Sequence, residues 1–198
     1  MSINKYDRLE GMNICLRKAR ESDSDSMLRH VWGDEDVYRW MLYAPTFGAD
    51  EALERCRRSI EYQKDHFAYF ISLKDTDEAF GMCAIRGDPE GHFEESGICI
   101  GKQYQGRGYG RETVALLLDL AFCKLGAEDF RYGYFEDNTR SGKLAEHFGF
   151  RYEKTYAMTR EWDNSVKTIR SCILTRKEYM AQLSDKTDVH CQGKMRKE

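Results

Sequence analysis

Residues 104–110 read Tyr-Gln-Gly-Arg-Gly-Tyr-Gly, three glycines in seven positions, between a strand-like segment and a long helical one. No other stretch limits the fold as much. The helix behind it, residues 107–125, repeats Val114, Leu117, Leu118, Ala121, Phe122 and Leu125 at three- and four-residue steps, so one face must be buried. Gly126 ends it. A helix start presents N–H groups without intrahelical partners and the positive end of the helix dipole. Glycines let that backbone approach an anion with no side chain in the way. The unit therefore predicts an anion, most simply a phosphate, at the helix N-terminus. Two phosphate loops are excluded by spacing. A Walker loop needs Lys-Ser or Lys-Thr after its glycines, but Gly110 is followed by Arg111 and Glu112. A dinucleotide fingerprint needs Gly-x-Gly-x-x-Gly in an opening strand–helix–strand unit, whereas this run is Gly-x-Gly-x-Gly and lies halfway along the chain.

The rest of the chain surrounds this junction with hairpins. Residues 12–19 alternate as a strand, and the Ser/Asp run after them offers caps for a helix from near Asp23 to near Gly33. A second helix, 49–65, places Leu53, Cys56, Ile60 and Gln63 on one face. Strands follow at 66–74, 80–87 and 94–101, the first two as a hairpin. Beyond the glycine helix come a strand at 129–135, a short helix at 139–148, strands at 150–160 and 166–176, and a short helix at 177–183. Hairpins mixed with strand–helix–strand units give an α+β or α/β class with a mixed sheet. Residues 1–183 read as one domain and 184–198 as a polar, flexible tail.

Composition narrows the function. With 41% hydrophobic residues and a net charge of −3, the chain reads as globular and not as a general nucleic-acid binder. The start lacks the apolar core of a secretory signal, and no apolar run is long enough to cross a bilayer, so a cytoplasmic protein without membrane partners is expected. Seven cysteines, an odd number with no Cys-x-x-Cys, read as reduced structural thiols. The five histidines form no ligand spacing, and no metal is expected.

Three motifs in order sharpen the reading: Gln105, Gly108 and Gly110 in the pattern Gln/Arg-x-x-Gly-x-Gly/Ala; Asn138 and Ser141 as Asn-x-x-Ser; and the Gly149–Phe150 pair. Together with Glu95-Ser96-Gly97 on the strand before the loop, they resemble the GNAT family of N-acetyltransferases, in particular its ribosomal-protein N-terminal acetyltransferase branch. The resemblance runs from about residue 14 to 175. It implies a mostly antiparallel twisted sheet of about seven strands, helices on both faces, and a strand pair splayed at an acetyl-CoA site. No metal enters that chemistry.

The resemblance also assigns residues. Backbone groups of Ile98, Cys99 and Ile100 would meet the pantetheine arm of acetyl-CoA, and the N–H groups of Gln105, Gly106, Arg107, Gly108, Tyr109 and Gly110 its diphosphate. Arg107 and Arg111 could add charge or simply be solvated. Asn138 would bond the pantetheine, and equally suits a helix N-cap. Ser141 would lie near the thiol and return a proton to it. Many relatives carry a tyrosine for that task four residues before the Gly-Phe pair, where this chain has Ala145, so Ser141, another tyrosine or water must substitute. Glu95 is the candidate base, with a solvent-facing strand carboxylate as the alternative. An α-amine asks little of it, whereas a lysine-type amine costs roughly 4.6 kcal/mol to deprotonate at pH 7. A backbone N–H of Ile98 or Ile100 would stabilise the developing oxyanion.

The acceptor is expected between the first helices and the last hairpin. Trp32, Tyr38, Trp40, Tyr43, Phe47 and Trp162 could wall a cleft there, and Asp34, Glu35, Asp36 and Glu161 could attract a cation. The leading reading is transfer of an acetyl group to a primary amine, on a peptide or protein N-terminus or a small molecule. An aminoglycoside- or polyamine-type acceptor and a catalytically silent acyl-CoA sensor stay open. Exposed aromatics are compatible with a homodimer.

Overall fold

The computed structural model describes residues 6–184. Eight strands form one sheet in the order β1-β2-β3-β4-β5-β6-β8-β7. They are β1 (Arg8–Glu10), β2 (Ile14–Arg17), β3 (Phe67–Leu73), β4 (Ala79–Gly87), β5 (His92–Ile100), β6 (Asp129–Phe135), β7 (Arg151–Arg160) and β8 (Ser165–Thr175). All neighbours pair antiparallel except β5 and β6, so the α+β reading with a mostly antiparallel sheet holds. The strand count rises from about seven to eight because β1, three residues long, pairs with β2 across a tight turn. Three residues carry no readable alternation, and only the partner makes them a strand.

Among the described residues, six helices cover the sheet. They are α1 (Ser24–Met27), α2 (Glu35–Tyr38), α3 (Ala49–Tyr62), α4 (Tyr109–Leu118), α5 (Thr139–His147) and α6 (residues 176–184). Met27, Val37, Ala52 and Cys56 from α1–α3 pack with Phe70 and Cys99 on one face. Val114, Leu117 and Leu118 of α4 and Ala145 of α5 pack with Ile71, Cys83, Phe130 and Tyr132 on the other. Helices α1 and α4 each run on into a wider turn, at Leu28–Trp32 and Asp119–Lys124. The i→i+5 bonds Gly33 N–H to Leu28 O (3.0 Å) and Leu125 N–H to Leu120 O (2.9 Å) close these turns. The expected helix stop at Gly33 is present, and the 177–183 segment lies inside α6. The tail expectation for 185–198 falls outside the described residues, with Cys191 and His190.

The feature that creates a site is a divergence. β5 and β6 pair only at His92–Asp129, Phe93–Phe130 and Glu94–Arg131. Beyond Glu94 they separate, while β5 stays on β4 as far as Ile100 and β6 stays on β8 as far as Phe135. A slot therefore opens through the sheet from Glu95 onward.

Candidate active site

The slot widens into a cleft of about 1140 Å³. That exceeds the usual volume of a single small-ligand pocket, roughly 300–1,000 Å³. On the α4–α5 face it is lined by Gln105, Gly106, Gly108, Gly110, Arg111, Asn138, Arg140 and Ser141. On the α1–α3 face it reaches Arg55, Arg58, Tyr62, Arg86, Tyr156 and Ser171.

Strand alternation decides which β5 groups face the slot. Gly101 donates its N–H to Phe80 O on β4 (2.8 Å). Two residues back, Cys99 has the same orientation, so the backbone groups of Ile98 and Ile100 point to the open side. Of the three residues assigned to the pantetheine arm, Ile98 and Ile100 therefore present backbone to the slot, and Cys99 does not. The carbonyl of Ile100 is already engaged by the Gln105 side-chain amide (2.8 Å).

The glycine loop is poised as a cradle. Glu112 N–H to Gly108 O (3.1 Å) is the first bond of α4, which leaves the N–H groups of Tyr109, Gly110 and Arg111 without intrahelical partners. Gln105 is the exception in the expected set, since its N–H closes a turn onto Lys102 O (3.2 Å). Its carboxamide oxygen accepts from Arg140, tying the loop to α5. Gly106 and Gly108 have φ of +78° and +89°, and a Cβ at either would meet nothing within 4 Å. Conformation, not crowding, demands glycine there. Gly110 differs, with a helical backbone and a Cβ position 3.8 Å from Ile100 and Leu144. Arg111 reaches the cleft. Arg107 does not line it, and the Tyr109 ring packs back onto Phe80. The loop is held in place by Glu112, which accepts from the backbone of Asn13 (2.7 Å) and Ile14 (3.2 Å).

At the fork, Glu95 is half-buried. Ser96 and Gly97 bulge opposite the single residue Ala84, and the bulge folds the Glu95 carboxylate back onto Gly97 N–H (2.7 Å). Burial pushes its pKa up to about 7, opposed by the Gly97 bond and raised further by Glu94. Asn138 is the N-cap of α5, accepting from Ser141 N–H (3.2 Å), and it also lines the cleft, so its two readings coexist. Ser141 Oγ lies 2.8 Å from the hydroxyl of Tyr132. Tyr132 is buried on β6, and burial, with the charge of Glu95, holds its pKa well above the ordinary tyrosine value. Sequence reading left a substitute tyrosine open without naming it. Tyr132 was hidden because it meets Ser141 only when β6 and α5 pack.

The residues expected to wall an acceptor cleft are divided in the structure. Trp40 and Tyr43 line the cleft, but Trp32 is fully buried beneath it. Tyr38, Phe47 and Trp162 do not line it, and Tyr38 meets the other two rings edge-on. Of the four acids, only Asp36 lines the cleft, and Lys102 neutralises it at 2.8 Å. The missed lining comes from Tyr62, Tyr134 and Tyr156, whose strand and helix positions carried no sign of a shared cavity.

The match to known proteins agrees with this geometry. A family model described as an acetyltransferase (GNAT) domain matches residues 13–151. A curated relative named "uncharacterized N-acetyltransferase p20", from Bacillus licheniformis, is 29% identical over 145 residues, covering 71% of this chain and 80% of the relative. A GCN5-related N-acetyltransferase from Brucella melitensis superposes with a TM-score of 0.77 at 21% identity, covering 88% of this chain and 80% of that one. A ribosomal-protein-S5-alanine acetyltransferase from Vibrio fischeri gives 0.69 at 16% identity, over 87% of this chain and 98% of that one. With the family match spanning well over half of the 198 residues, and the glycine cradle facing a forked strand pair, the chain belongs to the GNAT acetyltransferase family.

Proposed function

We propose that the protein transfers the acetyl group of acetyl-CoA directly to a primary amine in a ternary complex, with a peptide or protein N-terminus as the preferred acceptor. The observation that carries this reading is the slot through the sheet, glycine-cradled on one face and open to a separate wide mouth on the other. Acetyl-CoA fits the first half: two left-handed glycines with empty space above them, free N–H groups at the α4 start, and Arg111 and Arg140 beside them. It would supply the acetyl group as a reactive thioester. The N–H of Ile98 or Ile100, turned to the slot, would hold the acyl oxygen. Glu95, with a pKa near 7, is matched to accept a proton from an α-ammonium of pKa near 8. Ser141, backed by the protonated Tyr132 hydroxyl, would give a proton to the departing sulfur. The peptide preference rests on the acceptor mouth, where Leu42, Tyr62 and Tyr156 are exposed and offer apolar rim to a chain continuing outward. No helix among the described residues is long and apolar enough to cross a membrane.

The test is thiol release from acetyl-CoA with a panel of amines, alongside melting curves with and without acetyl-CoA. Protection by acetyl-CoA and fastest turnover with α-amino peptides are expected. No protection would sink the donor assignment, and faster turnover of polyamines or aminoglycosides would move the acceptor to small amines. Tight binding without turnover of any amine would leave an acyl-CoA sensor.

A further inference from the structure

Two cations in the acceptor half have no carboxylate counterpart among the described residues, and one of them is held rigidly. Arg55, on the cleft side of α3, is partly buried and lies with its guanidinium 4.9 Å from the ring centre of Trp32 and 4.4 Å from that of Tyr43. One nitrogen, Nη1, donates to Ala44 O (2.9 Å) and Thr46 Oγ1 (2.8 Å). Nε and Nη2 donate to nothing among the described residues. No carboxylate oxygen there comes within 4 Å of it. Glu51 stands one turn earlier on α3, but its carboxylate is turned to Phe47 N–H (3.4 Å). Arg58, one turn later, adds a second cleft-lining cation without a carboxylate partner among the described residues. The other cleft arginines on this face are neutralised: Arg86 by Glu94, and Arg131 by Glu153 and Asp129.

Burying an unpaired cation is expensive, and such a group is ordinarily paired. Here two rings and two oxygens fix the guanidinium, its stacking on aromatic faces contributes, and its spare N–H fork is left in the cleft wall. A planar fork held in this way suits a carboxylate, which it can bind through two parallel hydrogen bonds. The position is also right for an acceptor. Tyr43 bridges Arg55 to β5, with its hydroxyl 3.7 Å from Cys99 Sγ. Arg55, Tyr43, Cys99 and Glu95 therefore line one continuous cleft, with Cys99 four residues along β5 from Glu95.

We infer that Arg55 is an anion-recognition site for the acceptor, and that the preferred acceptor is an amine that also carries a carboxylate. This deepens the acetyltransferase reading and rests on it for the identity of the amine. Two sources share the chemistry: the α-carboxylate of a free amino acid, and an acidic side chain near the N-terminus of a peptide. Arg58 at the mouth adds long-range attraction to either.

The test is binding of acceptors to the full-length protein saturated with CoA, in which no turnover can occur. One arm compares alanine with alaninamide. The other compares two C-terminally amidated tripeptides, Ser-Asp-Ala and Ser-Asn-Ala. At least one carboxylate member should bind tenfold or more tightly than its amide partner, and the arm that shows it identifies the source. In Arg55→Met that ratio should fall towards one, and Arg55→Lys, which keeps the charge but not the fork, should give an intermediate ratio. Equal affinities within both pairs of the wild-type protein, or no binding of any of the four, overturn the inference. So does an unchanged ratio in Arg55→Met. Because the wild-type ratio needs no variant, poor folding of Arg55→Met leaves the test intact. Turnover is read separately, so failure of the acetyltransferase reading would show as CoA-bound protein that discriminates carboxylates yet never acetylates them.

Discussion

At the scale of single residues, Glu95, the proposed base, would link function to stability with opposite signs. Its folded-state pKa is about 7 against an ordinary 4.5, because the fork of β5 and β6 strips water from it. A raised pKa means that the folded protein holds this proton to higher pH than the unfolded chain does. The associated stability is present below about 4.5 and is lost as pH rises through about 7. Glu95→Gln keeps an oxygen for Gly97 N–H and removes the buried charge. The variant should therefore melt a few degrees above wild type at pH 8, at roughly 2–4 °C per kcal/mol for a domain of this size, with the gap closing near pH 4.5. Its kcat/KM should fall by about 10²-fold, the lower range for loss of a general base. The wild-type limb near pH 7 should vanish from its pH profile. Differential scanning calorimetry at the two pH values, together with the pH–rate profile, checks both. A variant that melts no higher at pH 8 would mean that Glu95 is better solvated than its setting at the fork indicates.

At the scale of elements, the glycine loop shows what sequence can and cannot carry. Its place between strand and helix was legible, because both flanking periodicities are strong. The motif leaves the first glycine, Gly106, at a free position, which implies that substitution there is mild. The backbone disagrees: Gly106 and Gly108 are both left-handed. An alanine at either costs roughly 1–2 kcal/mol in that conformation. Gly106→Ala and Gly108→Ala should therefore each raise the acetyl-CoA KM by about 5–30-fold, read from initial rates at saturating acceptor. A normal KM for Gly106→Ala would show that the loop relaxes without loss of the cradle. The wider turns after α1 and α4 left no trace in the sequence, because one extra residue in a turn barely disturbs the spacing of apolar positions. The anchor Glu112 was equally hidden. An acid in the first turn of a helix is expected from the dipole alone, and its partner Asn13 lies 99 residues away. Tyr132 and Arg55 escaped for the same reason. What makes each informative is a neighbour, or the lack of one, that only the folded chain defines.

At the scale of the whole molecule, the sheet is a partition. The glycine cradle proposed for the donor belongs to α4 and α5 on one face, and the mouth proposed for the acceptor is framed by α1–α3 and the β7–β8 hairpin on the other. The hairpin is held to the opposite wall chiefly at Arg160, which is buried, pairs with Asp163, donates to Arg39 O (2.9 Å) and Met41 O (3.5 Å), and lies 4.4 Å from the Trp162 ring. Met41 and its neighbours Trp40 and Tyr43 line the mouth, so this side chain sets how the hairpin and the 39–44 segment frame the acceptor. None of the groups it touches reaches the glycine loop. Arg160→Ala should therefore raise the acceptor KM by about tenfold or more while the acetyl-CoA KM stays within twofold, since its hydrogen bonds to Arg39 O and Met41 O, which hold the 39–44 segment, are lost. The melting temperature should drop by several degrees, at roughly 2–4 °C per kcal/mol. Gly108→Ala should give the converse kinetic pattern. If the two halves work as separate sites joined only through the slot, the double variant should show both KM effects at nearly their single-variant sizes, as expected for distant positions that share no partners. A strongly non-additive result would mean that donor and acceptor walls move together, and that the sheet transmits a change rather than dividing the molecule.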